Sequence, residues 1–181
     1  MIPDALRGAD LTRPITRAEF AAVAVRVYEQ LVGEPAEAAA ENPFTDTDDR
    51  EVLKAFHPGL AVGISATLFD PDALLNREQA ATILTRVFKK VSVPGWTWAR
   101  DADFTLEFEQ PGLFADDAKI SAWARDSVYF MAAREIIAGT GGNNFTPRAT
   151  TPEEEAMNYA SATREQALEL AVRMTENLPG R

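Results

Sequence analysis

Apolar residues recur at three- and four-residue steps in three stretches of the chain. Arg17 to Leu31 carries Phe20, Val23, Val27 and Leu31, with Ala21 and Ala24 small enough for close approach. Arg77 to Val91 carries Ala80, Ile83, Leu84, Val87 and Val91, and Arg164 to Leu178 carries Ala167, Leu170, Ala171, Met174 and Leu178. This spacing predicts three amphipathic helices, each with one apolar stripe. Three like stripes are buried most economically against one another, so the fold class is all-α with a central three-helix bundle. Ile120, Trp123, Val128, Met131, Ala132 and Ile136 predict a further helix from about Lys119 to Ile137. A shorter one, from about Asp49 to Phe56, is ended or bent by His57-Pro58-Gly59. Thr151-Pro152-Glu153-Glu154 reads as an N-cap with proline at the first helical position, opening a short helix to about Tyr159. Residues 92–113 alternate apolar with polar around Phe104, Leu106 and Phe108, which suits a short extended segment or a loop packed over a groove.

The three long helices begin alike: Thr16-Arg17-Ala18-Glu19, Asn76-Arg77-Glu78-Gln79 and Thr163-Arg164-Glu165-Gln166. Each is a capping box, in which the N-cap side chain and the Glu or Gln three positions on satisfy one another's backbone N–H groups. The arginine after each cap is unexplained by the box. A cation there faces the positive end of the helix dipole, at a typical cost of a few tenths of a kcal/mol. A guanidinium beside free N–H groups can hold a carboxylate through charge-assisted bonds. The alternative is that each arginine pairs with a nearby acid or packs its stem on a neighbour.

The boxes belong to a longer repeat. Gly63 to Pro71 and Gly139 to Pro147 align without a gap as Gly, five residues, Phe, one residue, Pro, and Phe44-Thr45-Asp46 matches Phe114-Ala115-Asp116 upstream. The interval from Phe44 to Gly63 is shorter than that from Phe114 to Gly139, which predicts a shorter first helix in the earlier copy.

This order of elements resembles the S-layer homology family, the wall-anchoring modules of bacterial surface proteins. The resemblance divides the chain into a partial first repeat (1–36), a second repeat (37–91), a linking insertion (92–113) and a third repeat (114–181), all packed as one domain. It implies a pseudo-threefold assembly whose inter-repeat grooves bind secondary cell-wall polysaccharide, often at a terminal sugar carrying a pyruvate ketal. On that basis Arg17, Arg77 and Arg164 are the anion-binding candidates. Gly63 and Gly139 let the loop backbone approach the sugar, and Trp123 contributes to a groove or packs in the core. The partner implied is an anionic cell-wall polysaccharide, the location the bacterial cell surface after secretion, and no cofactor is required. Trp96 and Trp98 are candidates for stacking on sugar rings or for a lid over apolar surface. His57-Pro58 departs from the family pattern.

Composition narrows the alternatives. The 181 residues include 28 acidic and 18 basic side chains, for a net charge of −10. That balance disfavours nucleic acid and anionic lipid as partners. No apolar run is long enough to span a membrane. The absence of cysteine removes disulfides, thiol nucleophiles and thiolate metal sites. Asp46, Asp48 and Asp49 begin like a calcium loop but lack its glycine and closing glutamate, so they read as solvated or capping carboxylates, as do Asp116 and Asp117. Catalysis has one imidazole to use, His57, and Ser65, in Gly63-Ile64-Ser65-Ala66-Thr67, lacks the second glycine of a nucleophile elbow. No catalytic or metal site is expected. Self-association in a surface lattice is the remaining competitor, and it does not require an arginine at every helix start.

Overall fold

The computed structural model describes residues 2–178. Its α-helices run α1 Arg17–Val32, α2 Arg50–Phe56, α3 Arg77–Ser92, α4 Arg125–Ala133, α5 Pro152–Ala156 and α6 Arg164–Asn177, with 3-10 turns at Asp4–Leu6, Trp98–Asp103 and Asp117–Lys119. Among the described residues there is no strand, only isolated bridges. All three capping boxes form. The N-cap oxygens of Thr16, Asn76 and Thr163 accept from Glu19, Gln79 and Gln166 N–H at 3.2, 2.9 and 3.2 Å, and those side chains accept in return at 3.0, 3.0 and 3.1 Å.

The residues just ahead of the caps close a ring. Ile15 N–H donates to Ala162 O at 2.8 Å, Ala162 N–H to Leu75 O at 2.9 Å, and Leu75 N–H to Ile15 O at 3.0 Å. All three side chains are buried. The arginine amides continue the cycle, with Arg17 N–H on Ala73 O, Arg77 N–H on Ala160 O and Arg164 N–H on Arg13 O. Backbone groups that a helix start leaves orphaned are thereby satisfied by the neighbouring copy, and the helix starts are fixed in cyclic order. Below the ring, α1 packs along both α3 and α6, with α2 against α1 and α4 against α3. The core they share contains Phe20, Val23, Val27, Leu84, Val87, Phe130, Met131 and Met174.

The Phe-x-Asp and Gly-to-Phe segments also repeat in space. Asp46 accepts from the Phe69 amide, at 2.9 and 3.1 Å, and from the Asp70 amide at 2.7 Å. Asp116 accepts from the Phe145 and Thr146 amides, at 2.7 Å each. These carboxylates therefore stitch the loop to the start of their own copy, and Asp116 does not cap the helix after it. Asp49 does cap α2, accepting from Glu51 N–H at 2.8 Å. Gly63 has no room for a side chain: a Cβ would lie 2.4 Å from Ser65 O and 2.6 Å from Leu68 O.

Three element boundaries differ from expectation. The Lys119 to Ile137 helix is interrupted because Ile120 is extended and Ser121 is drawn to Glu78, which accepts from its N–H at 2.9 Å and its hydroxyl at 2.8 Å. The same helix stops early because Glu135 adopts a left-handed conformation, φ 57°. The helix after Thr151 ends at Ala156 rather than Tyr159. Residues 92–113 form a loop with the 3-10 turn Trp98–Asp103, and Phe108 meets Phe130 edge-on at 5.6 Å.

Candidate functional site

Each long helix carries a second arginine nine residues after the first: Arg26, Arg86 and Arg173. At about 100° per residue, nine positions turn the side chain to the opposite face. On α3 this sends Arg77 into one groove and Arg86 into another. Two pairs share a cavity, Arg17 with Arg86 and Arg77 with Arg173. Their surroundings differ.

Arg17 and Arg86 line a cavity of about 130 Å³ with Val62, Gly63, Gln79, Thr82 and Trp123. Arg17 donates through Nε to Phe69 O and through Nη2 to Val62 O, both at 3.0 Å, and its guanidinium lies 4.9 Å from the Phe69 ring centroid. It thus holds the Gly63 loop by carbonyls and an aromatic face, with no carboxylate hydrogen-bonded to it. Arg86 lies 4.1 Å from the Trp98 ring centroid, and its buried Nε has no hydrogen-bond partner. Burial pushes the Arg86 guanidinium down to about 10; Asp101 offsets part of this, and Arg17 adds repulsion. Burial likewise lowers Arg17, against the opposing pull of Asp70 and Asp46. Both remain cations at neutral pH, and they face a single cavity.

Arg77 and Arg173 line the equivalent cavity, about 300 Å³, with Ala138, Gly139, Gln166 and Glu169. Arg77 repeats the geometry of Arg17: Nε donates to Phe145 O at 2.9 Å, Nη2 to Ala138 O, and the Phe145 ring centroid is 5.0 Å away. Burial lowers its pKa, with Asp116 offsetting part of the effect. Arg173, however, is ion-paired with Glu169, which stands where Thr82 stands in the first cavity. Trp123 is absent from the lining of this cavity.

The remaining two arginines, Arg164 and Arg26, are each neutralised by acids. Arg164 donates to the Glu19 carboxylate from Nε, at 3.1 Å to each oxygen, and from Nη2 at 2.7 Å, and this pairing raises its pKa. Arg26 bridges Glu29 at 2.5 Å and Glu51 at 3.3 Å.

Of the candidates read from the sequence, the structure brings Arg17, Gly63 and Trp123 together, places Arg77 with Gly139 in a second groove, and ties Arg164 to an acid. Trp123 is 59% exposed and sits at the rim of the first cavity. It is positioned by buried Glu78, whose hold on Ser121 fixes the turn that carries it. Trp96 is an internal lid, 3% exposed, donating from Nε1 to Asp101 at 2.7 Å, whereas Trp98 is 43% exposed. Arg86, Gln79 and Thr82 were missed by the sequence reading. The nine-residue arginine interval was the available signal. His57 closes α2 and lines a separate cavity with Glu34, Glu37 and Lys90. Among the described residues no group of three or more His, Cys, Asp or Glu side chains could hold a metal ion, and no helix is long and apolar enough to cross a membrane.

A helical module with charged grooves between repeated helix starts is a binding architecture. Consistent with it, residues 113–157 match the family model of the S-layer homology domain. Such domains are in general non-catalytic modules of cell-surface proteins that bind cell-wall polymers, so the match supports a surface-layer or cell-wall anchoring role. No curated protein matches the chain.

Proposed function

We propose that the chain anchors a surface protein by binding an anionic secondary cell-wall polysaccharide, with the carboxylate of a pyruvylated terminal sugar seated between Arg17 and Arg86. The observation that carries this reading is the pair of cations facing one cavity without a hydrogen-bonded carboxylate. Two desolvated guanidiniums that repel one another are stabilised by an anion between them, through charge-assisted bonds contributing roughly 1.5 to 3 kcal/mol each. Gln79 and Thr82 supply neutral polar groups at the same cavity, and Trp123 offers an aromatic rim on which a sugar face can stack. The Arg77–Arg173 groove is the weaker one, because Glu169 neutralises its second cation and repels a carboxylate.

The test is calorimetric titration with isolated wall polysaccharide, before and after removal of its ketal. Tight binding near one site per chain that is lost with the ketal supports the assignment, as does a tenfold or greater weakening in Arg86→Ala with Arg173→Ala unchanged. Binding indifferent to the ketal and to Arg86 would overturn it. Self-association, the competing reading, would appear as concentration-dependent sedimentation without polysaccharide.

A further inference from the structure

The Arg17–Arg86 cavity does not end at Arg86. A second cavity of about 340 Å³ shares Thr82, Arg86 and Trp123 with it and adds Thr85, Lys89, Trp98, Asp101 and Ser127. From Thr82 to Lys89 the floor is one face of α3, about 10 Å along the helix axis, a length on the scale of two sugar rings.

The far wall is built by the 92–113 insertion, which is longer than the 33–43 segment that joins the first two repeats. Its 3-10 turn is pinned at Asp101, which accepts from Lys89 Nζ and Trp96 Nε1 at 2.7 Å each. Trp98 is fitted against Gly59 so closely that a Cβ on that glycine would lie 2.8 Å from the Trp98 Cβ. Arg86 stacks on its ring. An exposed indole held on a pinned turn, facing a polar floor and a second exposed indole, is the arrangement expected of a saccharide subsite: aromatic faces for sugar C–H groups, hydroxyl and charged groups for sugar hydroxyls.

We infer that the insertion forms a second subsite, which takes the sugar next to the anionic terminal residue, with Trp98 as its stacking platform and Thr85, Lys89, Asp101 and Ser127 as its polar lining. This rests on the Arg17–Arg86 reading above. It assigns the insertion a role in recognising chain length, and it extends recognition from one sugar to at least two.

The experiment compares two probes, a pyruvylated hexose methyl glycoside and the corresponding pyruvylated disaccharide, on the whole chain. The disaccharide should bind about tenfold more tightly than the monosaccharide. Trp98→Ala should remove most of that gain. Because Trp98 also touches Arg86, a second variant, Ser127→Phe, fills the second cavity from a position outside the first and should likewise remove the gain while leaving monosaccharide affinity unchanged. Equal affinity for the two probes, or a gain that survives both variants, overturns the subsite and leaves the anion site standing. Failure of both probes to bind overturns the anion site and the subsite with it. Binding of a ketal-free disaccharide that is lost in both variants retains the subsite and overturns the ketal assignment.

Discussion

Glu19 grips Arg164 through both carboxylate oxygens, at 2.7 to 3.1 Å, across the junction between the first and last helices. The residue in the same capping-box position on α3 is Gln79, and the arginine it faces is Arg17. Either Glu or Gln completes the box, since both present an oxygen to the N-cap amide. Only Glu also neutralises the neighbouring arginine, so this one position decides whether a helix start is a structural tie or an open cation.

Gln79→Glu should therefore keep the fold and the box while closing the site. The new carboxylate is expected to take Arg17 as Glu19 takes Arg164, with affinity for wall polysaccharide falling tenfold or more. Arg164→Ala should do the reverse, leaving affinity intact while lowering stability by about 1 kcal/mol. Titration and thermal melting on both variants check the pair.

Glu169→Thr should open the second groove. It releases Arg173 and gives that groove the polar lining Thr82 provides in the first. A second, weaker binding event in calorimetry is the expected outcome, without Trp123 to strengthen it.

Arg86→Met should raise the melting temperature by a few degrees while abolishing tight binding. The buried cation has an unpaired Nε and sits beside Arg17, so exchanging it for an apolar side chain of similar length removes a desolvation cost. Opposite signs for stability and affinity distinguish a binding arginine from a structural one.

Gly63→Ala should destabilise the protein by about 1 to 3 kcal/mol, because its Cβ would collide with the carbonyls of Ser65 and Leu68 and with the Phe44 ring at 2.8 Å. Both backbone carbonyls belong to the loop that Arg17 holds, so affinity should fall with stability. Gly95→Ala, with no atom within 4 Å of the added Cβ, should leave affinity intact despite its strained φ of 77°.

Acid should loosen the repeats at their loops. The Phe69 amide, and with it that of Asp70, holds the Asp46 carboxyl below its usual range, and the Tyr129 hydroxyl, assisted by Arg125, does the same for Asp117. Folded values below the unfolded ones mean that the unfolded chain binds more protons as the pH falls. This stabilisation is complete above the unfolded value of about 3.9 and is lost below it. Melting temperature should be nearly level from pH 7 to 5 and fall below about pH 4, with the drop reduced in Asp46→Asn.

The helices, their caps and their order were legible in the sequence because they rest on local chemistry: a 3.6-residue period, and a box that closes within four residues. α1, α3 and α6 begin at Arg17, Arg77 and Arg164 as the caps require. The repeat was legible for the same reason, since the Phe-x-Asp and Gly-to-Phe segments recur as strings. What each arginine does was not legible, because the three starts read alike and differ only in what the neighbouring copy brings across the groove. Glu19 lies 145 positions from Arg164, the cation it neutralises, whereas the Glu169–Arg173 pair closes within four residues of one helix. Trp123 was placed on a helix by its period but reached the rim of the Arg17 cavity only because Glu78, forty-three positions away, pulls Ser121 out of helical register. Local hydrogen bonding and periodicity set the elements from sequence alone, whereas the charge state of each groove is a sum that also takes in side chains brought together only when the ring of Ile15, Leu75 and Ala162 is closed. That sum, which falls as the inverse of a distance no sequence contains, was decided by the tertiary structure.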